Sequence, residues 1–515
     1  MIGKDNQKKR NVQRHIVTEV ANILEELASA LVMALLIIGF VVQPFIIPTG
    51  SMAETLNGAH FRLRCPQCGY KYDCNFEPAE YGLRANRVPT GAVVPPVSRC
   101  PSCGYYNASG KPVVVSKGDK ILALKCLYQF FEPKRWDVVV FKNPLDPTIN
   151  YIKRLVGKPG ETVEIIDGDV YIDGKITRKP RKVQQELWMP VYNNDYRPVK
   201  AYETRFNDHS WEIPLKNYGD SKWKPSETES GNFYLDGAGI RENRLVYDTS
   251  MGNDFHAAYA YNHLEGQGYQ PVCSDLKVCF DAVFEANHSV VVGVGLRKYQ
   301  RYYKARINSD GKMSILRVEQ NNEQVLTSMQ VQPPVSGDKA RAAFANVDHL
   351  LIFEWDEREL VYDLGPLPGD AGPKRREAEP EVEIIGAGKL SISRIKIYRD
   401  IYYTSVNPHN GRKDGNAVEG SPFTLGEDEF FVLGDNSPAS LDGRWWNKPG
   451  RGNGYEQYRV GTVPRDYLLG KAVFVFWPSG FRPSDKFPIA CVPNAGKIRL
   501  IYGGSRYVLD AVSEP

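Results

Sequence analysis

A serine hydroxyl is a weak nucleophile until a neighbouring base takes its proton. Two short stretches of this chain could supply such a pair. Ser51 lies in Pro48-Thr49-Gly50-Ser51-Met52, directly after a long uncharged apolar run. Lys153 lies in Tyr151-Ile152-Lys153-Arg154, with Leu155 and Val156 following. Lysine can act as a base only as the free amine. Burial disfavours its ammonium form and lowers its pKa, by up to about 3–5 units when complete. Arginine cannot give up its proton in the same way. Consecutive side chains of a strand point to opposite faces, so at least one of Ile152 and Lys153 is buried, or both are. A buried lysine in an apolar strand is unusual. The plain alternative is an edge-strand lysine pointing to water.

A second set of residues could hold a metal. Cys65-Pro66-Gln67-Cys68-Gly69-Tyr70 and Cys100-Pro101-Ser102-Cys103-Gly104-Tyr105 are near copies, with 31 residues between Cys68 and Cys100. Such Cys-x-x-Cys-Gly turns aim two thiolates each at one tetrahedral ion, a structural zinc held by Cys65, Cys68, Cys100 and Cys103 in a zinc-ribbon-like segment. If this segment lies outside the cytoplasm, disulfides at the same positions compete with the metal. Cys74 is a spare ligand or a free thiol, and Cys126, Cys273, Cys279 and Cys491 read as buried thiols. Cys273 and Cys279 in one extended strand would be about 20 Å apart and could not bridge. The eight histidines show no metal spacing. Val292-Gly293-Val294-Gly295 reads as a strand, not a phosphate-cradling loop.

These residues need elements to place them. Leu27 to Ile47 is uncharged over 21 residues, about 31 Å as a helix, which matches a bilayer core. It reads as an uncleaved transmembrane anchor, too long for a cleaved signal peptide. Lys4, Lys8, Lys9, Arg10 and Arg14 precede it, while only Arg62 and Arg64 follow closely. The positive-inside bias keeps the N-terminus in the cytoplasm and sends the bulk outside. The body is mainly β: the chain has 45 glycines, 35 prolines and 29 tyrosines, which favours a turn-rich protein. Asp167-Gly168 and Asp173-Gly174 are hairpin turns, as is Asn308-Ser309-Asp310-Gly311. The middle stretch, with Leu276, Val278, Phe280, Ala282 and Phe284 alternating as a half-buried strand, reads as an inserted β-sandwich of jelly-roll or lectin-like type. Pro366 to Glu383 reads as a solvated excursion within it. With 65 basic and 61 acidic residues, the net charge of +4 gives no support for nucleic-acid binding.

A third motif completes a resemblance. Gly434-Asp435-Asn436-Ser437-Pro438-Ala439-Ser440-Leu441-Asp442-Gly443-Arg444, with the Ser51 and Lys153 stretches in the same order, resembles the signature boxes of bacterial signal peptidase I. The resemblance implies a membrane serine endopeptidase that removes signal peptides from exported preproteins after Ala-x-Ala-like sites. It implies Ser51 as nucleophile and Lys153 as base. Thr49 and the Ser51 backbone N–H would be oxyanion donors. Ser440 would orient Lys153, Asp442 and Arg444 would form a supporting ion pair, and Met52, Leu56, Tyr151 and Ile152 would line the substrate pocket. Glu54, Ser437 and Gly443 depart from the family pattern. No cofactor is implied for catalysis, and the implied location is the cytoplasmic (inner) membrane with the catalytic part outside.

The expected organisation is therefore a tail 1–26, an anchor 27–47, protease core 48–64, zinc-ribbon-like segment 65–104, core 105–189, inserted sandwich 190–398 and core 399–515. The sandwich would contribute nothing to the site and be removable, with a ligand of its own unknown. Two other readings remain at this level: a membrane-anchored protein whose sandwich binds carbohydrate or protein over an inert core, and a self-processing regulatory protease.

Overall fold

The computed structural model describes the chain apart from residues 1, 85–86, 109, 199–209, 227–230, 237–240, 264–269, 286–289, 321, 375–378, 408–410, 453–456, 481–491, 493 and 505–515, and the side chains of 1–17. Cys491, His288 and the side chains of Lys4, Lys8, Lys9, Arg10 and Arg14 therefore lie outside the described residues.

The N-terminal helix runs Ile2–Leu36 and ends in a π-helical turn, Ile37–Val41. Thr18–Val41 is long and apolar enough to cross a membrane, with its side chains exposed. The helix does not reach Ile47, as the hydropathy alone suggested. Val42–Ile46 is a strand, paired in register from Val42 with Leu124 to Ile46 with Lys120. The reason is Pro44, which cannot sit in a helix interior. The edge of a sheet also offers backbone partners that a helix would have to forgo.

That strand opens an antiparallel sheet ordered Val42–Ile46, Lys120–Leu124, Leu468–Trp477, Val138–Asn143, Asp146–Gly157, Glu429–Leu433 and Val463–Pro464, with Arg499–Leu500 added on Leu468–Trp477. Apolar residues fill both faces. Met52, Leu56, Ile121, Val138 and Val140 pack on one, and Val139, Phe141, Leu155, Phe430 and Val432 on the other. A smaller sheet is built on the hairpin Thr162–Ile166 and Asp169–Ile172. Asp167 and Gly168 both take positive φ there (51° and 90°), as do Asp173 and Gly174 (51° and 75°), the conformation a two-residue hairpin needs.

The middle of the chain forms two large antiparallel sheets of eight and seven strands. They share one core that includes Leu276, Phe280, Val292, Tyr303, Phe344 and Ile384. Leu276–Phe284 is buried on both faces rather than half-exposed, because it lies between Lys389–Arg399 and Lys339–Val347. Arg301–Asn308 and Lys312–Glu319 pair across the Asn308–Gly311 turn. The entering strand Met189–Asn193 lies beside the leaving strand Lys389–Arg399, Met189 facing Arg399. The stretch from Pro366 is not wholly solvated: Ala371 is buried, and Pro366 accepts a hydrogen bond from Ile176.

Candidate active site and cysteine cluster

Lys153 sits in the middle strands of the first sheet, opposite Val139. It is 4% exposed, and its Nζ lies 2.5 Å from Ser51 Oγ. Burial pushes its pKa down to about 8, with Arg444 helping; Asp442 and Asp435 pull the other way. An amine with that pKa loses its proton near neutrality and can then accept the serine proton. The next residue, Arg154, points to the opposite face and makes a bidentate pair with Asp435 (2.8 and 2.7 Å). That pair ties the lysine strand to the loop after Glu429–Leu433.

This loop supports the backbone at Ser51. Asn436 N donates to Ser51 O (3.1 Å), and Asn436 Nδ2 donates to Gly50 O (3.0 Å). Asp442 accepts from Gly434 N (2.9 Å) and pairs twice with Arg444 (2.9 and 2.7 Å). Arg444 also donates to Thr404 O and to Ser437 Oγ. Ser437 thus acts as a fixed acceptor inside the loop. Gly443 suits its place as well, since a Cβ there would meet Phe431 Cε2 at 2.9 Å and Gly461 O at 3.0 Å.

Not every sequence expectation is met. Ser440 is buried, but its Oγ has no hydrogen-bond partner among the described residues, so it does not orient Lys153 here. A side chain on Gly434 would meet Ser440 Oγ at 2.2 Å, which shows how tightly the hydroxyl is enclosed. Met52 and Leu56 are buried in one cluster with Ile152 packed against it. Tyr151 belongs to the cluster on the other face, because it alternates with Ile152. It shares that face with Lys153, whose Nζ is 5.6 Å from the Tyr151 ring centre. Thr49 is exposed two residues before Ser51.

The four knuckle cysteines converge. Their sulfurs all lie within 4.8 Å of one another, and all four residues are buried. Cys65 and Cys103 sulfurs are 3.7 Å apart, and Cys68 and Cys100 sulfurs 3.6 Å. A zinc ion with sulfur at about 2.3 Å in tetrahedral geometry sets its ligands about 3.8 Å apart, whereas a disulfide needs about 2.05 Å. The donor set and its spacing therefore fit zinc. The two turns repeat each other: Gly69 N donates to Cys65 O and Gly104 N to Cys100 O, both at 2.9 Å. Gly69 and Gly104 take φ of 77° and 76°. Cys74 is buried apart from this group as a free thiol; Cys273 and Cys279 are buried free thiols, while Cys126 is half-buried.

Sequence reasoning missed one component. Residues 253–263, within the interval assigned to the sandwich, run over the Gly50–Ser51 loop. Tyr259 hydroxyl donates to Asp435 O (3.3 Å). Tyr261 is fully buried against Gly50. Asn262 pairs with Asn436. No local pattern marks them; Asn436 alone carried a signal, as part of the third motif.

Residues 107–218 and 388–477 match the family described as signal peptidase, peptidase S26. The matched stretches contain Lys153, Ser440, Asp442 and Arg444; Ser51 lies before them. A signal peptidase I of Rickettsia typhi is 30% identical over 176 residues, which is 34% of this chain and 48% of that protein. One of Pseudomonas fluorescens is 25% identical over 206 residues, 37% and 56% of the two chains. The chain thus spans about half the length of these curated relatives. Among solved structures, a carbohydrate-binding module of Bacillus subtilis aligns over 36% of this chain and 95% of its own, at 9% identity and TM-score 0.24.

Proposed function

We propose that this chain is a membrane-anchored serine endopeptidase that removes signal peptides from exported preproteins after Ala-x-Ala-like sites. The observation that carries the reading is Lys153 Nζ at 2.5 Å from Ser51 Oγ, in a strand position buried enough to hold the lysine near pKa 8. The match to the signal peptidase family over 107–218 and 388–477, with similarity to curated signal peptidases I, supports the substrate class.

In this mechanism neutral Lys153 takes the proton of Ser51 as Oγ attacks the scissile carbonyl. The oxyanion forms beside the Ser51 N–H and the Thr49 hydroxyl. Lys153 then protonates the departing amine, and water hydrolyses the acyl-enzyme with the same lysine as base. Asp442 and Arg444 hold the supporting loop. Met52, Leu56 and Ile152 line the substrate pocket on one face of the strand, while Tyr151 flanks Lys153 on the other. Thr18–Val41 anchors the chain in the inner membrane with the catalytic part outside. Cys65, Cys68, Cys100 and Cys103 hold a structural zinc. Residues 190–398 form a domain added to the protease, a reading supported by the adjacency of Met189 and Arg399, since insertions are tolerated where the two ends meet.

The test is cleavage of a signal peptide ending in Ala-x-Ala by the purified chain. Ser51→Ala and Lys153→Ala should each abolish it with the fold intact, since neither member of the pair works alone. More than a few per cent of wild-type turnover in either variant would overturn the mechanism.

A further inference from the structure

Gly50 and Ser51 have little of their own to hold them. The loop is closed by Ala53 N donating to Gly50 O (3.0 Å) and Leu56 N donating to Met52 O (2.7 Å). Asn436 adds a further backbone restraint, its backbone N–H and side-chain amide taking the Ser51 and Gly50 carbonyls. An amide side chain has two N–H donors and one carbonyl acceptor. Asn436 spends one donor on Gly50. Its second donor goes to Asn262 Oδ1 (2.7 Å), and its Oδ1 accepts from Asn262 Nδ2 (2.8 Å). The reciprocal pair fixes the plane of the Asn436 amide. Removing Asn262 would free that plane to turn, and the bond to Gly50 O would weaken with it.

The partner is itself held on both sides. Asn262 N donates to Tyr259 O (3.0 Å), and the Tyr259 hydroxyl reaches Asp435 O. Tyr261 O accepts from Asn75 N (2.7 Å). The Tyr261 ring fills the space above Gly50 so closely that a Cβ on Gly50 would lie 2.4 Å from its Cε1. Farther back, Asn253 Nδ2 donates to Cys100 O (3.2 Å) and to Val191 O (2.9 Å). The segment 253–263 is thus a strap pinned at the cysteine cluster and at the catalytic loop.

We infer that Asn262 is a positioning residue for the nucleophile, acting through Asn436 on the Gly50–Ser51 backbone, so that the middle domain completes the protease site. The inference rests on the proposed peptidase activity. Asn262 reaches Ser51 through Asn436, so its loss acts on turnover rather than on substrate affinity. Small displacements of a reacting group are costly in rate.

The experiment compares wild type, Asn262→Ala, Asn436→Ala and the double variant in the full chain. Asn262 is half-buried, so its truncation leaves the fold and Tm close to wild type. Asn262→Ala should lower kcat about tenfold with KM within twofold and the pH profile unmoved. The double variant should be no slower than Asn436→Ala, because the two substitutions remove one interaction. Unchanged kcat, a change confined to KM, or losses that multiply in the double variant would overturn the inference. Hydrogen exchange at the Ala53 amide, which is bonded to Gly50 O, gives a readout independent of turnover. It should speed up in Asn262→Ala. If the wild type cleaves no signal peptide, the proposed activity fails, and the exchange result still decides whether Asn262 restrains the loop.

Discussion

At the residue scale, the burial of Lys153 links structure to a pH profile. Its folded pKa of about 8 lies below its usual 10.5, with burial as the main cause. Only the neutral amine can take the Ser51 proton. The log of kcat/KM should therefore rise with slope one up to about pH 8 and then level off. The same depression has a cost for the fold. Between about 8 and 10.5 the unfolded chain binds more protons at this position than the folded one, so stability rises with pH across that window. Below 8 the full penalty of burying the site applies, and Lys153→Met should be more stable than wild type there by about 3 kcal/mol. Urea unfolding of both forms at pH 7 and pH 10.5 checks the sign: the advantage of the variant must shrink at the higher pH. Thr49→Val should lower kcat by about 10²–10³ with little change in KM, the usual loss for one oxyanion donor. Unchanged turnover would mean that the hydroxyl faces elsewhere.

At the element scale, what could be read from the sequence was what short range encodes. Asp167-Gly168 declares its own turn because few other pairs accept two positive φ angles in succession. Lys153 betrays its burial through Ile152, Leu155 and Val156, its neighbours in one strand. The cysteine turns carry their geometry in six residues each. The failures are equally instructive. The apolar run gave no sign that its last six residues, Val42 to Ile47, would leave the helix, because hydropathy is blind to backbone pairing. Leu276–Phe284 looked half-exposed because Lys277 and Asp281 interrupt its apolar residues, yet it is a central strand whose Asp281 pairs with Arg394. Asn262 and Tyr261 had no motif at all. Their partners, Asn436 and Gly50, are far away in sequence, and only the folded chain brings them together. The knuckles yield a direct prediction: elemental analysis of protein purified without chelator should find one zinc per chain. Two disulfides by mass spectrometry, with no metal, would replace zinc with covalent staples.

At the scale of the whole molecule, the small sheet and the middle domain meet over a buried ionic cluster. Asp169, Asp275, Asp348 and Asp400 lie together. Lys179 pairs with Asp348 and Asp400, and Lys298 with Asp275. Burial raises Asp400 to about 6, above its usual 3.8, although Lys179 opposes the rise. The proton it retains stabilises the fold fully below the unfolded value, and that contribution is lost as pH rises through about 6. Asp400→Asn should therefore flatten the fall in stability between pH 4 and 7, measured by denaturant unfolding. An identical slope in variant and wild type would place the proton elsewhere. The strap changes what removal of the middle domain should do. A short linker in place of residues 190–398 would also delete Tyr259, Tyr261 and Asn262, and the trimmed protein should fold yet lose most of its turnover. Full turnover in a folded deletion would show that the Gly50–Ser51 loop holds itself.

The join between the helix and the first strand leaves no slack. The π-helical turn ends at Val41 and the strand begins at Val42. Lys125 clasps the join, its backbone N–H donating to Val41 O and its Nζ to Gly39 O. Ser51 follows five residues after that strand ends at Ile46. With the helix in a bilayer, the proposed peptidase would ride at one fixed height, like a blade set in a plane, with exposed Phe130 and Ile46 near the surface. Which peptide bond is cut would then be chosen partly by depth: a substrate whose own apolar helix ends a turn too early or too late would present the wrong bond to the blade.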